Sequence, residues 1–153
     1  MTSDPTWTLP PIGQLGYVVA DLDRAIDHYT NVFGCGPFRA RELELDGFIY
    51  RGKRGRCRQR LAFGKSGTID VELIQTIDGD ETPHTQFLRE KGEGLQHLGY
   101  FVENLDAVLN VMCKKGMGPV FTLDHPDFSV AYLDTDSIGG VMMELVEVRR
   151  RQG

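Results

Sequence analysis

The stretch "LQHLGYFVENLD", residues 95–106, repeats most of an earlier stretch, "IGQLGYVVADLD", residues 12–23. When Gln14 is aligned with His97, six of the ten paired positions that start there carry the same residue. Agreement of this extent is rare by chance, and an internal repeat determines how the rest of a sequence is interpreted. The chain therefore contains a duplication, in which a glutamine of the first copy corresponds to a histidine of the second.

The ends of the two halves are also alike. The segment "GTIDVELIQ", residues 67–75, aligns with "GGVMMELVE", residues 139–147, and this alignment pairs Glu72 with Glu144. Each half thus begins and ends with a related segment, as expected when one structural unit is present twice.

Hydrophobic periodicity predicts the same order of elements in each half. An alternating strand precedes a helix with a polar N-cap, Asp21 or Asn104, and a glycine stop, Gly34 or Gly116; three strand-like runs follow. The unit is βαβββ. We predict a single domain over residues 1–153, with repeats at about 12–75 and 95–147 and a linker with one short helix at 76–94.

Strand parity separates polar from apolar residues in the first and last strand of each repeat. Successive side chains face opposite sides of a sheet, and a face covered by helices is apolar. The opposite face then carries four polar residues: Gln14, Glu72, His97 and Glu144. The predicted fold class is α+β, with two paired βαβββ modules forming a curved sheet cup. The four polar residues that line this cup are of the types that bind metal ions.

Composition excludes several classes of protein. The chain has 153 residues, of which 41% are hydrophobic and 25% charged, as in ordinary globular proteins. A net charge of -5 provides no overall attraction to nucleic acid or to an anionic membrane. Three widely spaced cysteines indicate neither a disulfide framework nor a C-x-x-C metal site. Because no signal peptide or membrane-spanning run is apparent, we expect a cytoplasmic protein.

The paired blocks "LGYVVADLDRAIDHY" and "HLGYFVENLDAVL", with "VELIQ" and "MMELVE", resemble the vicinal oxygen chelate superfamily, which includes glyoxalase, bleomycin-resistance and extradiol dioxygenase proteins. The resemblance covers nearly the whole chain. Residues 71–109 are most similar to methylmalonyl-CoA epimerases, and this similarity implies metal binding by Glu72 and His97. The other ligands of the family correspond to Gln14 and Glu144. The resemblance also implies a glyoxalase-like fold and a homodimer, with the metal site within one chain or across two.

Gln14 departs from the histidine usual in epimerases and bacterial glyoxalases. A Gln, Glu, His, Glu set is nevertheless found in eukaryotic-type glyoxalase I. One imidazole and three oxygen donors suit a six-coordinate divalent ion, and zinc, cobalt, nickel, manganese and iron are all compatible with them.

The resemblance implies proton transfer next to a carbonyl, in an isomerase, epimerase or glyoxalase-like lyase acting on a small carbonyl compound or a thioester. A metal ion that holds the carbonyl oxygen stabilises the enolate formed when the adjacent carbon loses its proton. Glu144 is the first candidate for the base, and Glu72 is the second catalytic carboxylate. The alternatives are a metal-free small-molecule binding protein of the bleomycin-resistance type and a non-catalytic dimeric scaffold.

Further residues are candidates for substrate binding. Epimerases have an additional glutamate on the second strand, and the run "LDGFIYRG" places Tyr50 there. A phenol is a poorer base than a carboxylate near neutral pH, and Glu42 or Glu44 would take the place of that glutamate if the strand has another register. In the basic run "RGKRGRCRQR", residues 51–60, several arginines share one strand face. Arg54 and Arg56 are therefore predicted to contact a CoA phosphate or a carboxylate, unless the run is a solvated loop.

Two other groups of residues have less specific roles. Gly16 and Gly99 either give the cup room or let neighbouring strands approach closely. The remaining histidines, His28, His84 and His125, are expected on the surface or in loops.

Overall fold

Each half of the chain folds as one strand, one helix and then three strands. The computed structural model describes residues 8–135 and 140–149. The first half contains β1 (Gln14–Val18), α1 (Leu22–Asn31), β2 (Arg39–Tyr50), β3 (Lys53–Ser66) and β4 (Ile69–Gly79). After α2 (Pro83–Lys91), the second half contains β5 (Gly94–Phe101), α3 (Leu105–Lys114), β6 (Pro119–His125), β7 (Phe128–Leu133) and β8 (Met142–Val148).

The strands form one mixed sheet that closes into a barrel in the order β1-β4-β3-β2-β6-β7-β8-β5. β1 is parallel to β4, and β5 is parallel to β8, as the duplication requires. The two halves meet along the antiparallel β1–β5 pair and again at a short β2–β6 pair. The α+β class is thereby confirmed. The sheet differs from the predicted open cup, because Ile49 and Tyr50 at the end of β2 pair with Thr122 and Phe121 of β6.

Helices cover the outer face of this barrel. α1 begins at Asp21, whose side chain accepts a hydrogen bond from the Arg24 N–H, and it buries Leu22 against strands β3 and β4. α3 begins in the same way at Asn104 and packs Leu105 against β7 and β8. Full burial of a leucine side chain contributes roughly 2 kcal/mol. Within the described residues no helix is long and apolar enough to span a bilayer.

The inner face is largely apolar, and most of its buried polar residues lie on the neighbouring strands β4, β1, β5 and β8. Phe48, Phe121 and Tyr132 are buried together inside the barrel and fill part of its interior. The short helix α2 packs against β1, β4 and β5. Between these groups the barrel contains a cavity of about 450 Å³. It is lined by three of the polar residues identified by parity, Gln14, Glu72 and Glu144.

Candidate metal centre

The four polar residues that strand parity predicted on one face meet inside the barrel of a single chain. His97 Nε2 lies 3.0 Å from Gln14 Oε1, 3.5 Å from Glu72 Oε1 and 3.7 Å from Glu144 Oε1. They are contributed by the adjacent strands β4, β1, β5 and β8, and all four are buried. The structure therefore brings the predicted ligand set together, and its role in metal binding stays a prediction.

Two glycines of the repeat make room for this cluster. Gly16 is the cross-strand partner of His97, and a Cβ atom on Gly16 would lie 1.9 Å from His97 Cε1. Gly99 is the partner of Gln14, and a Cβ atom there would lie 2.8 Å from Gln14 Cβ. In each of the two β1–β5 pairs a glycine of one repeat thus lies opposite a large polar residue of the other, so the glycines give the cluster its room.

The hydrogen-bonding of the His97 ring determines which nitrogen faces the cluster. Nδ1 lies 2.7 Å from Gln96 Oε1, and because a carbonyl oxygen only accepts, Nδ1 carries the ring proton. Burial lowers the pKa of His97 well below its ordinary value, so the ring is neutral and Nε2 presents a lone pair. That lone pair faces oxygen atoms of Gln14, Glu72 and Glu144. Without a cation a protonated glutamate would donate to it, and a divalent cation would take the place of that proton.

The raised pKa values of the two buried glutamates also suit a site for a cation. Burial raises the pKa of Glu72 well above its ordinary value, and the nearby charge of Glu144 raises it further. Burial raises the pKa of Glu144 to about 7, while a hydrogen bond from Tyr132 acts in the opposite direction. Without a cation, burial disfavours the ionised form of both carboxyl groups, because nothing replaces the water lost around their negative charge.

The donor set fits a divalent metal ion. One ligand atom each from Glu72, His97 and Glu144 lie within 4.8 Å of one another, and the Gln14 amide oxygen adds a fourth donor. The Nδ1–H···Gln96 hydrogen bond is the outer contact that metal-bound histidines usually make. These donors suit zinc, cobalt, nickel, manganese or iron and leave coordination positions for a substrate.

The cavity beside this cluster has mainly apolar walls. They include Leu43, Leu61, Phe63, Phe101, Leu123 and Phe128. Arg41 is an exposed lining residue, and its positive charge lowers the pKa of Glu72 against the larger effect of burial. The cavity therefore combines a polar floor, apolar walls and two lining arginines, Arg41 and Arg149.

The three residues predicted to bind substrate lie elsewhere. Tyr50 is buried, and its hydroxyl donates a hydrogen bond to Gln86. Arg54 and Arg56 are exposed, and Arg56 pairs with Glu44 at 3.0 Å on the outer face of the barrel. The pairing of β2 with β3 shifts register between residues 46 and 48, so strand parity does not carry through to Tyr50. Substrate binding by these three residues stays a prediction, without support from their positions.

The structure adds one histidine that sequence reasoning missed. His84, expected on the surface or in a loop, is only 4% exposed and lines the cavity. Its Nδ1 lies 2.8 Å from Gln59 Nε2, and its Nε2 lies 2.8 Å from the Tyr132 hydroxyl. Burial lowers the pKa of His84 to about 4. No local pattern indicates this position, because it depends on where α2 packs against the barrel.

Comparison with known proteins identifies relatives of this chain. Mouse mitochondrial methylmalonyl-CoA epimerase is 25% identical over 147 residues, which cover 94% of this chain and 76% of that protein. The structure of methylmalonyl-CoA epimerase from Mycobacterium tuberculosis has a TM-score of 0.67 at 24% identity and covers 98% of this chain and 94% of that one. A Streptomyces coelicolor methylmalonyl-CoA epimerase variant in complex with 2-nitronate-propionyl-CoA has a TM-score of 0.70 at 20% identity, covering 92% and 96%.

The structural likenesses show a shared fold. The model of one protein family matches residues 13–132, which is most of the chain. The resemblance read from the repeated blocks is confirmed by this match: the protein belongs to the glyoxalase/bleomycin resistance protein/dioxygenase superfamily.

Proposed function

We propose that this protein is a metal-dependent epimerase or isomerase that transfers a proton at the carbon next to the carbonyl of an acyl thioester. The observation that carries this proposal is the buried convergence of Glu72, His97 and Glu144 beside a cavity. The relatives named methylmalonyl-CoA epimerase support the reaction type, and the relative that holds 2-nitronate-propionyl-CoA supports a thioester substrate.

The proposed reaction divides the work among the buried residues. A bound divalent ion would supply electrostatic stabilisation of the charge that develops on the carbonyl oxygen. Glu144 takes the proton from the adjacent carbon as a carboxylate, the form that a bound cation would favour. Glu72, in its protonated form, donates its own proton to the opposite face of that carbon, so epimerisation leaves Glu144 protonated and Glu72 ionised until both exchange with solvent. His97 and Gln14 would bind the ion and exchange no proton.

The shape and charge of the cavity support a substrate with an apolar acyl part and an anionic group. Apolar walls favour burial of hydrocarbon, at roughly 25 cal/mol per Å² removed from water. Arg41 is positioned to pair with a carboxylate or phosphate of the same molecule.

Deuterium exchange tests this proposal. The metal-loaded protein is incubated with a panel of acyl-CoA esters in D₂O, and deuterium at the carbon next to the carbonyl is measured by mass spectrometry. We expect exchange with at least one ester, and a loss of about a hundred- to ten-thousand-fold in Glu144→Gln, because the base is removed. Glu103→Gln, a change at an exposed glutamate, is the matched control. No exchange with any ester would contradict the proposal.

The apolar walls also favour the second candidate, a metal-free protein that binds a small apolar molecule. In that case ligand affinity would be the same with and without a divalent ion and unchanged in His97→Ala. The proposed enzyme instead requires the divalent ion and His97 for deuterium exchange, so the same set of variants distinguishes the two functions.

A further inference from the structure

We propose that Gln59, His84 and Tyr132 form a directed hydrogen-bond chain that positions the Glu144 carboxylate, with each proton donated toward Glu144. The three residues come from β3, α2 and β7, and Glu144 lies on β8. Their positioning role rests on the proposed function, in which Glu144 is both metal ligand and base. The direction of the chain does not depend on that function.

The direction is set at the first link. The side-chain nitrogen of Gln59 only donates, and it lies 2.8 Å from His84 Nδ1. Nδ1 must therefore accept and carry no proton. A histidine ring carries an N–H on at least one of its two nitrogens. That N–H is at Nε2.

The second link passes this direction to Tyr132. His84 Nε2 lies 2.8 Å from the Tyr132 hydroxyl oxygen, so this oxygen accepts a hydrogen bond from the ring. The hydroxyl proton of Tyr132 is then free to be donated elsewhere.

The third link ends at Glu144. Tyr132 and Glu144 are direct cross-strand partners in the β7–β8 pair, which places their side chains on the same face. The Tyr132 hydroxyl, whose proton the first two links leave free, is thereby placed to donate to the Glu144 carboxylate. A carboxylate accepts such a bond in its ionised form, which is the form that binds a metal ion and removes a proton.

Burial isolates the chain from competing water. Gln59, His84 and Tyr132 are 2%, 4% and 2% exposed. Hydrogen bonds in such surroundings are strong and costly to break, so each residue restricts the orientation of the next. Removal of any one of these side chains should therefore change the orientation of the Glu144 carboxylate, although Tyr132 alone among the three lies next to it.

The direction is tested by the tautomer of His84 in the metal-free wild-type protein. Long-range ¹H–¹⁵N correlation spectra distinguish a protonated ring nitrogen from an unprotonated one, and the spectrum of His84→Gln assigns the His84 signals. We expect an unprotonated Nδ1 and a protonated Nε2. A proton on Nδ1, alone or together with Nε2, would overturn the proposal.

The positioning role is tested by Co²⁺ affinity, measured by isothermal titration calorimetry. Residues that orient a metal ligand typically change affinity about ten- to a hundredfold, so Tyr132→Phe and His84→Leu should raise Kd by about tenfold or more. His84→Gln retains an N–H donor and should restore most of the affinity. His28→Gln, at an exposed histidine on α1, should have no effect.

The outcomes separate this inference from the proposed function. Wild-type affinity in both Tyr132→Phe and His84→Leu would overturn the positioning role while leaving the metal site intact. Absence of Co²⁺ binding by the wild type would contradict the proposed function and the positioning role together, whereas the tautomer would still decide the direction of the chain.

Discussion

Gly16 determines where the His97 ring lies. A Cβ atom at Gly16 would lie 1.9 Å from His97 Cε1, so Gly16→Ala must displace the ring from the other three ligands. We expect loss of Co²⁺ binding by calorimetry and a decrease of about 1–3 kcal/mol in unfolding free energy, measured with urea. Gly118→Ala, where the new atom meets only Cys113 Sγ at 3.9 Å, is the control. Wild-type Co²⁺ affinity in Gly16→Ala would refute this account.

His84 gives the fold a pH dependence of known sign. Burial lowers its pKa from the ordinary value of 6.5 to about 4 in the folded protein. The folded state therefore favours the neutral ring: its stability is complete above pH 6.5 and decreases as the pH falls from 6.5 to about 4. The loss amounts to about 3 kcal/mol, since each pKa unit corresponds to about 1.4 kcal/mol.

Urea unfolding of the metal-free wild type and of His84→Gln, at several pH values, measures this loss. Relative to the variant, the wild type should become less stable below pH 6.5. A stability difference that does not vary between pH 7 and pH 4 would show that His84 does not titrate in this way.

His84 lies in the first turn of α2, next to the N-terminal cap of this helix at Thr82. The Thr82 side chain accepts hydrogen bonds from the backbone N–H groups of His84 and Thr85, each at 3.2 Å, and the Thr82 N–H donates to Thr85 Oγ1 at 2.9 Å. Thr82→Ala should lower the unfolding free energy by about 1 kcal/mol, because these helix donors lose their partner. Thr82→Ser keeps the hydroxyl and should unfold like the wild type. Equal stability of all three proteins would contradict this role of the cap.

At the scale of single elements, the sequence predicts what depends on local alternation. The alternation in β1 and β5 was sufficient to place Gln14 and His97 on the inner face. Tyr50 is placed by the resemblance and not by alternation, and a register shift in β2 comes before that residue. Alternation gave no indication of His84, whose burial results from the packing of α2 against strands of both halves.

At the scale of the whole molecule, the proposed metal site joins the two repeats. Gln14 and Glu72 come from the first half, whereas His97 and Glu144 come from the second. An ion that binds only the folded state adds about 2.7 kcal/mol when its free concentration is a hundred times Kd. Cobalt or zinc should therefore raise the Tm of the wild type, measured by calorimetry, and leave that of His97→Ala unchanged. An equal shift in both proteins would place the ion elsewhere.

The duplication in the sequence is sufficient to predict the order of elements in both halves, since each repeat has the same periodicity. The closure of the barrel was not predictable in this way. It depends on a two-residue pairing between the ends of β2 and β6, at Ile49–Thr122 and Tyr50–Phe121. Nothing in the local pattern of either strand indicates that partner, because such pairing is determined by the twist and length of the whole sheet.

Metal content shows whether Gln14, Glu72, His97 and Glu144 bind an ion. The protein is purified without a polyhistidine tag, and bound metals are measured by inductively coupled plasma mass spectrometry in the wild type and in His97→Ala and Glu144→Ala. We predict about one divalent ion per chain in the wild type and a loss of that ion in both variants, because each removes a ligand. No bound ion in the wild type, even after reconstitution with zinc, cobalt, nickel and manganese, would contradict the account.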